Sequence, residues 1–249
     1  MTDSKRPGIP EEESYRFADA VGEELEELVS RWLDRLGPRD VERILRNPHT
    51  EERIVRILLG ERRLLSYYEI RKRLALHPKT PAAQALNLLN GLFWRDLLAA
   101  GQDTAIRPQV RRAADLRLAD RLGGLAVGER VSIARRASPT LLQSLRKDPS
   151  ARVVGAMLEN PRCTEATLLP MVTSETTPGP VLEVVARNRK WGVRYPIRAA
   201  LCKNPQTPVR VSLSLLPMLK KRDLRAVRSN ARIPHAVQRR ARLLLGDSR

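Results

Sequence analysis

Residues 71–118 read RKRLALHPKTPAAQALNLLNGLFWRDLLAAGQDTAIRPQVRRAADLRL, and residues 198–245 read RAALCKNPQTPVRVSLSLLPMLKKRDLRAVRSNARIPHAVQRRARLLL. Laid over one another at an offset of 127, without a gap, the two stretches share 19 of 48 residues. The identities include Pro78/Pro205, Thr80/Thr207, Pro81/Pro208, Leu86/Leu213, Leu89/Leu216, Leu92/Leu219, Asp96/Asp223, Leu97/Leu224, Ile106/Ile233 and Val110/Val237. They fall on turn-forming and apolar positions, the ones two copies of a single packing pattern must keep in common.

A shorter spacing divides that offset. Asn160-Pro161 and Asn204-Pro205 lie 44 residues apart, each after a small apolar segment (VVGAMLEN, IRAALCKN), and Leu-Leu-Pro-Met recurs at 168–171 and 215–218. From Pro78 to Pro161 is 83 residues, room for two units of 41 or 42. Asn47-Pro48 marks a boundary only 30 residues before Pro78, which makes the first unit irregular. Thr80 and Thr207 suit helix N-caps, and Pro81 and Pro208 suit the first helical position, where a missing N–H costs nothing. Ser138-Pro139 repeats the device. Beyond Pro208, Val211, Leu215, Leu216 and Leu219 recur at spacings of three and four, the stripe of an amphipathic helix. Asp96 and Asp223 precede short helices, and their duplication suggests an N-cap or a bond to arginine rather than catalysis. No stretch of six residues alternates as a surface strand does, so the fold class expected is all-α.

Units of 41–44 residues built from two or three short helices resemble HEAT and armadillo repeats. The small helix, Asn-Pro-x-Thr-Pro and leucine-helix order is similar to the leucine-rich-repeat-variant solenoids of bacteria. Over residues 40–245 the resemblance implies an α-solenoid, a curved right-handed superhelix of helical hairpins with a concave face. Some variant-repeat proteins carry an iron–sulfur cluster on an N-terminal cysteine cluster. This chain has only Cys163 and Cys202, and no cofactor is expected.

The organisation expected is a disordered acidic tail at 1–16, capping helices at 17–46, the repeats at 47–245 and a short tail at 246–249. A helix over 17–36 would gather Val21, Leu25, Leu28, Val29, Trp32 and Leu36 on one side, either to cap the repeats or to pair with a partner or a second copy. Hydrophobic residues at 42% suffice for a core. The N-terminus has no apolar signal-peptide core and no run of 18 apolar residues occurs, so a soluble cytoplasmic protein without a membrane span is expected. The two cysteines read as thiols buried in helices or, alternatively, as one disulfide.

Charge is laid out as a gradient. Lys and Arg total 46 against 28 Asp and Glu, a net +18; residues 1–50 carry −4 and residues 201–249 carry +10. Only eight of the cations are Lys. Arginine suits bidentate recognition of phosphate or carboxylate, although codon usage alone can produce the same bias.

Catalytic signatures are missing. His49, His77 and His235 all flank repeat prolines, no zinc-type His or Cys spacing occurs, and Gly123-Gly124 is followed by LAVGER, without the lysine of a phosphate loop. A HEAT-like DNA glycosylase would need an acid beside aromatics. Trp94, Trp191 and Tyr195 could supply the rings, but no carboxylate is singled out. The expectation is a non-enzyme.

Two basic clusters stand out. The first combines Arg187, Arg189, Lys190, Arg194 and Arg198 with Trp191 and Tyr195, which either stack on a ligand or fill a hairpin. The second comprises Lys220, Lys221, Arg222, Arg225, Arg228 and Arg232 with Arg239, Arg240 and Arg242. In this second cluster the earlier repeat has Phe93, Trp94, Leu98, Gly101 and Asp115 where the later one has Lys220, Lys221, Arg225, Arg228 and Arg242. A kept apolar frame under a newly basic surface points to an anionic partner. The function expected is a non-catalytic scaffold binding a protein with an acidic surface. The alternative is sequence-independent nucleic-acid binding through phosphate contacts.

Overall fold

The computed structural model describes residues 9–246, and every regular element in that range is helical. The chain divides into two compact units, residues 1–118 and 119–249. The first holds α1 (Glu11–Asp19), α2 (Glu23–Trp32), α3 (Pro38–Arg46), α4 (Glu52–Gly60), α5 (Arg62–Ser66), α6 (Tyr68–Leu76), α7 (Ala82–Leu88), α8 (Trp94–Gln102) and most of α9 (Pro108–Arg121). The second holds α10 (Val127–Arg136), α11 (Pro139–Leu145), α12 (Ala151–Glu159), α13 (Glu165–Thr173), α14 (Gly179–Arg187), α15 (Tyr195–Lys203), α16 (Val209–Leu215), α17 (Lys221–Ser229) and α18 (His235–Leu245).

The offset of 127 governs far more of the chain than the stretch in which residues are visibly shared. Added to the bounds of α3, α4, α6, α7 and α8, it reproduces those of α13, α14, α15, α16 and α17. It brings α1 and α2 within one residue of α11 and α12, and α9 begins where α18 does. The units are two copies of one helical plan. They differ at α5, whose counterpart in the second unit is a turn, and at α10, which has no counterpart among the described residues.

Inside each unit a helix packs on the next helix of its own layer, two places along except where α5 intervenes. In the first unit α1 packs on α3, α3 on α6, and α2 on α4; in the second, α13 packs on α15, α15 on α17, α12 on α14, and α16 on α18. The result is two stacked layers of helices, a helical-repeat arrangement in which each short helix buries one stripe against neighbours in both layers. The stripes are Leu, Ile and Val: Val41, Ile44, Ile54, Val55, Leu58 and Leu74 in the first unit are all fully buried.

Hydrogen bonds across successive helix pairs span 23–33 residues. The stacking unit is therefore one helix pair, shorter than the 41–44 residues suggested by the Asn-Pro spacing. Asn160 ends α12 and Asn204 ends α15, helices of opposite layers, which is why they stand 44 apart.

The asparagines clamp the stack. Asn47 Nδ2 donates to the carbonyls of Phe17 (3.0 Å) and Ala20 (2.8 Å), Asn160 to Ala134 and Ala137, and Asn204 to Val172 and Ser174. Each Oδ1 accepts the N–H two residues on, which turns the chain out of the helix. All three side chains are buried, so these bonds replace water that the helix ends would otherwise require. Pro48, Pro161 and Pro205 sit in the turns after these helices, as Pro78 does after α6 and His77, and cannot continue them.

Thr80 and Thr207 act on the preceding helix rather than capping the next. Their hydroxyls donate backwards to the carbonyls of Leu74 and Leu201 (2.7 Å for the latter), and the N-cap positions fall to Pro81 and Pro208. Thr50 and Thr177 close α3 and α13 in the same way. Ser138 does cap its helix, accepting from Leu141 N–H at 3.1 Å with Pro139 at the first helical position.

The acidic tail expected at 1–16 is helical from Glu11 onward; residues 1–8 lie outside the described range. Glu11, Glu12 and Glu13 sit in the first turn of α1, where negative charge favours the helix, and Ser14 and Phe17 are buried. The single helix expected over 17–36 breaks at Gly22, whose φ of 58° interrupts it. Val21 therefore points outward at 51% exposure, while Leu25, Leu28, Val29 and Leu36 are buried as expected. At the other end Gly246, with φ 80°, caps α18, and residues 247–249 of the expected tail lie outside the described range.

Candidate partner-binding surface

A carboxylate, half-buried in the first unit and buried in the second, anchors the same corner of each. The Tyr68 hydroxyl donates to Asp96 and the Tyr195 hydroxyl to Asp223, and each phenol oxygen accepts a backbone N–H, from Phe93 and from Lys220, at 3.0 Å. Lys72 Nζ meets Asp96 at 2.9 Å and Lys203 Nζ meets Asp223 at 2.6 Å. These partners are lysine and tyrosine, not the arginine or N-cap expected from the sequence. Hydrogen bonds from Lys203 and Tyr195 hold the Asp223 carboxyl below the usual carboxylate range. Burial alone would raise Asp96, but the bonds from Tyr68 and Lys72 outweigh it and lower its pKa as well. Burial and the Asp96 carboxylate push the Tyr68 phenol up to about 12. The corner is a structural lock. Tyr68/Tyr195 is also a conserved pair at offset 127, three residues upstream of the stretch first compared.

The lock fixes the start of α8 and of α17, and so decides what each unit shows at its surface. In the first unit Phe93 is 64% exposed, its ring centroid 4.4 Å from that of Tyr68, and Arg95 lies over Trp94. In the second, Lys220 and Lys221 are exposed at the same places, with Lys220 Nζ 5.1 Å from the centroid of Tyr195.

The first basic cluster is largely consumed within the fold. Trp191 is buried, its indole N–H donating to Leu158 O at 3.1 Å, so the hairpin-filling alternative is the one realised and its ring faces no ligand. Lys190 and Arg194 lie against the indole ring at 4.6 and 4.8 Å. Arg187 pairs with Glu183, Arg194 with Glu165, and Arg198 Nε donates to Gly192 O. Tyr195 is tied to Asp223. Of this cluster only Arg189, exposed beside Asn188, keeps its charge without a partner among the described residues.

The second cluster is different. Lys221, Arg222 and Arg225 are exposed on α17, and Arg239, Arg240 and Arg242 on α18, and none of these six side chains pairs with a carboxylate among the described residues. Helices α17 and α18 pack as a hairpin through Leu224, Val227, Val237 and Ala241, which fixes both sets of charges on one rigid piece. Arg232 is withdrawn by a two-oxygen pair with Glu175 (2.7 and 2.8 Å), and Arg228 is half-buried with a partner of its own. Beside the free cations stand two exposed apolar residues, Met218 (52%) and Leu243 (59%). His235, Ala236, Gln238, Arg239 and Arg242 line a depression of about 290 Å³ along α18.

The remaining candidates for chemistry are structural. Both thiols are free and buried, Cys202 in α15 and Cys163 in the turn before α13 rather than inside a helix; burial pushes them up to about 12 and about 11. They are poor nucleophiles in consequence. His77 takes the clamp position of Asn204: its Nδ1 accepts from Lys79 N–H at 3.2 Å and its ring bonds the Leu45 backbone, 127 residues before Val172. Among the described residues no cluster of His, Cys, Asp and Glu is arranged to hold a metal, and no helix is long and apolar enough to cross a membrane. Searches of known protein families, of curated proteins and of solved structures match nothing to this chain.

Proposed function

We propose that this chain is a non-catalytic helical-repeat scaffold of the cytoplasm that binds a protein with an acidic surface through α17 and α18. The observation that carries the reading is the set of six exposed cations, Lys221, Arg222, Arg225, Arg239, Arg240 and Arg242, left unpaired while neighbouring arginines are neutralised internally. Unpaired like charges on one rigid hairpin repel one another, and an acidic partner relieves that repulsion and is drawn in by the field. Arginine and methionine are enriched where proteins meet, and Met218 and Leu243 supply apolar contact between the charges. Of the two rings in the first cluster, Trp191 is buried and Tyr195 is bound to Asp223, so they offer no stacking platform to an unpaired base.

Affinity capture from the native cell tests the reading, with wild type compared with a Lys220→Glu, Lys221→Glu, Arg222→Glu, Arg225→Glu variant. The expected result is one stoichiometric protein, lost in the variant. Retention of that protein by the variant removes the interface from α17–α18. Tight binding of a random duplex at about 150 mM salt, weakening steeply as salt rises, would replace the protein partner with nucleic acid.

A further inference from the structure

The structure contains a surface that complements α17–α18 in both charge and texture. On α1 and α2, Glu12, Tyr15 and Asp19 are exposed at helical spacings of three and four, and Glu23 and Glu27 are exposed one turn apart. The carboxylates of Glu12, Asp19, Glu23 and Glu27 have no cationic partner among the described residues, whereas Glu13 and Glu24 are held by Arg16 and Glu26 by Arg53. Tyr15 (59% exposed) and Val21 (51%) add apolar area there, as Met218 and Leu243 do on the basic side.

We infer that the occupant of the α17–α18 surface is the α1–α2 segment of a second copy of this chain. The inference rests on the reading of α17–α18 as a binding surface and names its partner. Each side leaves unpaired what the other lacks: five carboxylates on one, counting Glu11, and six cations on the other. Each side also has a recess. Tyr15, Asp19, Ala20 and Glu24 border a depression of about 260 Å³ in which Arg16 is already committed to Glu24 at 2.6 Å, so the Asp19 carboxylate is the charge left to meet an incoming guanidinium. The depression along α18 offers Arg239 and Arg242 to an incoming carboxylate. Because the two patches are different surfaces of one chain, the contact is heterologous.

Sedimentation velocity on the full chain at about 50 and about 500 mM salt is the test, since surface attraction is screened over this range. Association is expected at the lower salt, rising with protein concentration and lost at the higher. Two variants sharpen it: Glu12→Lys, Asp19→Lys, Glu27→Lys on one, and Lys221→Glu, Arg222→Glu, Arg239→Glu on the other. Asp19 ends α1, where a lysine suits the helix, and all six side chains are exposed, so circular dichroism should show both variants folded. Each variant alone should sediment as a monomer, and an equimolar mixture should associate again, because opposite patches are restored between the two. Wild type that is monomeric at about 50 mM salt, or a mixture that stays monomeric, overturns the inference. Monomeric wild type that still captures an acidic protein through α17–α18 leaves the binding-surface reading standing and removes only the second copy as its partner.

Discussion

Residues 68–118 and 195–245 have helices that begin at matching positions and a Tyr–Asp–Lys corner each, with His77 standing at the clamp position of Asn204, yet they face solvent with opposite chemistry. The earlier stretch presents Phe93 and Trp94, the later one Lys220 and Lys221. The lysines that meet the two aspartates do not even occupy equivalent positions: Lys72 lies one turn into α6, while Lys203 is the last residue of α15. What is kept is the charge delivered to the carboxylate, not the residue that delivers it. A repeat can therefore exchange its exposed residues freely so long as the apolar stripes, the clamps and the locked carboxylate remain, because those are the groups whose burial leaves no alternative partner.

The comparison breaks most sharply at the aspartates. The Asp223 side chain is 3% exposed, while that of Asp96 keeps 19% of its surface in water. Asp223→Ala should cost about 2–4 kcal/mol by leaving Tyr195 and Lys203 unpaired, and Asp96→Ala about 1–2 kcal/mol, both read from chemical denaturation. Both carboxyls are depressed in the fold, so their contribution is present above the ordinary aspartate range and is lost as pH falls through it. The alanine variants should each lose that acid dependence. Equal costs at the two sites would mean that the corners are not the unequal pair their burial implies.

A second break lies at Gly101, where Arg228 stands in the later unit. A Cβ added at Gly101 would run into the carboxylate of the buried Asp115, whose counterpart is Arg242. Gly101→Ala should cost about 1–3 kcal/mol, and less when Asp115→Ala accompanies it, as two groups sharing one space require. Strict additivity in a thermal-melt double-mutant cycle would separate the two positions.

The smallest effect is expected at His77. Burial lowers its pKa from 6.5, and Lys79 adds to the lowering; Arg46, Glu69, Lys72 and Arg73 line the cleft of about 430 Å³ beside it. A lowered histidine contributes stability above pH 6.5 that is lost as pH falls below it, because only the unfolded chain takes up the proton readily. His77→Asn, which restores the clamp residue of Asn204, should change stability near neutral pH by less than about 1 kcal/mol and flatten its decline in weakly acidic buffer. An unchanged pH profile would show that His77 is not the group titrating.

The all-helical character and the copy relating 71–118 to 198–245 were legible in the sequence, since both depend on local periodicity and on punctuation that a single strand of text displays. The extension of that copy back to α1 was not. Upstream of Tyr68 the two units share few residue types, and only the helix bounds and the backward-donating Thr50 and Thr177 reveal it. The spacing of 44 misled for a related reason: asparagine clamps end helices of both layers, so distances between them count layers as well as repeats. The helix at the start of the acidic stretch was not legible because Phe17 alone is a weak apolar signal, and Ser14 is buried only by its bonds to Asp40 and Arg43 of α3.

For the proposed binding surface the division follows the same line. Composition and the position of each charge along the chain are properties of the sequence, and they sufficed to place the basic excess at 201–249 and to mark α17–α18. Which of those charges are free to act on another molecule was decided by tertiary structure alone. Pairing joins residues such as Arg232 and Glu175, 57 positions apart, and burial turns Trp191 from a candidate ligand contact into core. Charge is carried by each residue on its own, but neutralisation and burial belong to pairs and clusters, and those exist only once the helices have stacked.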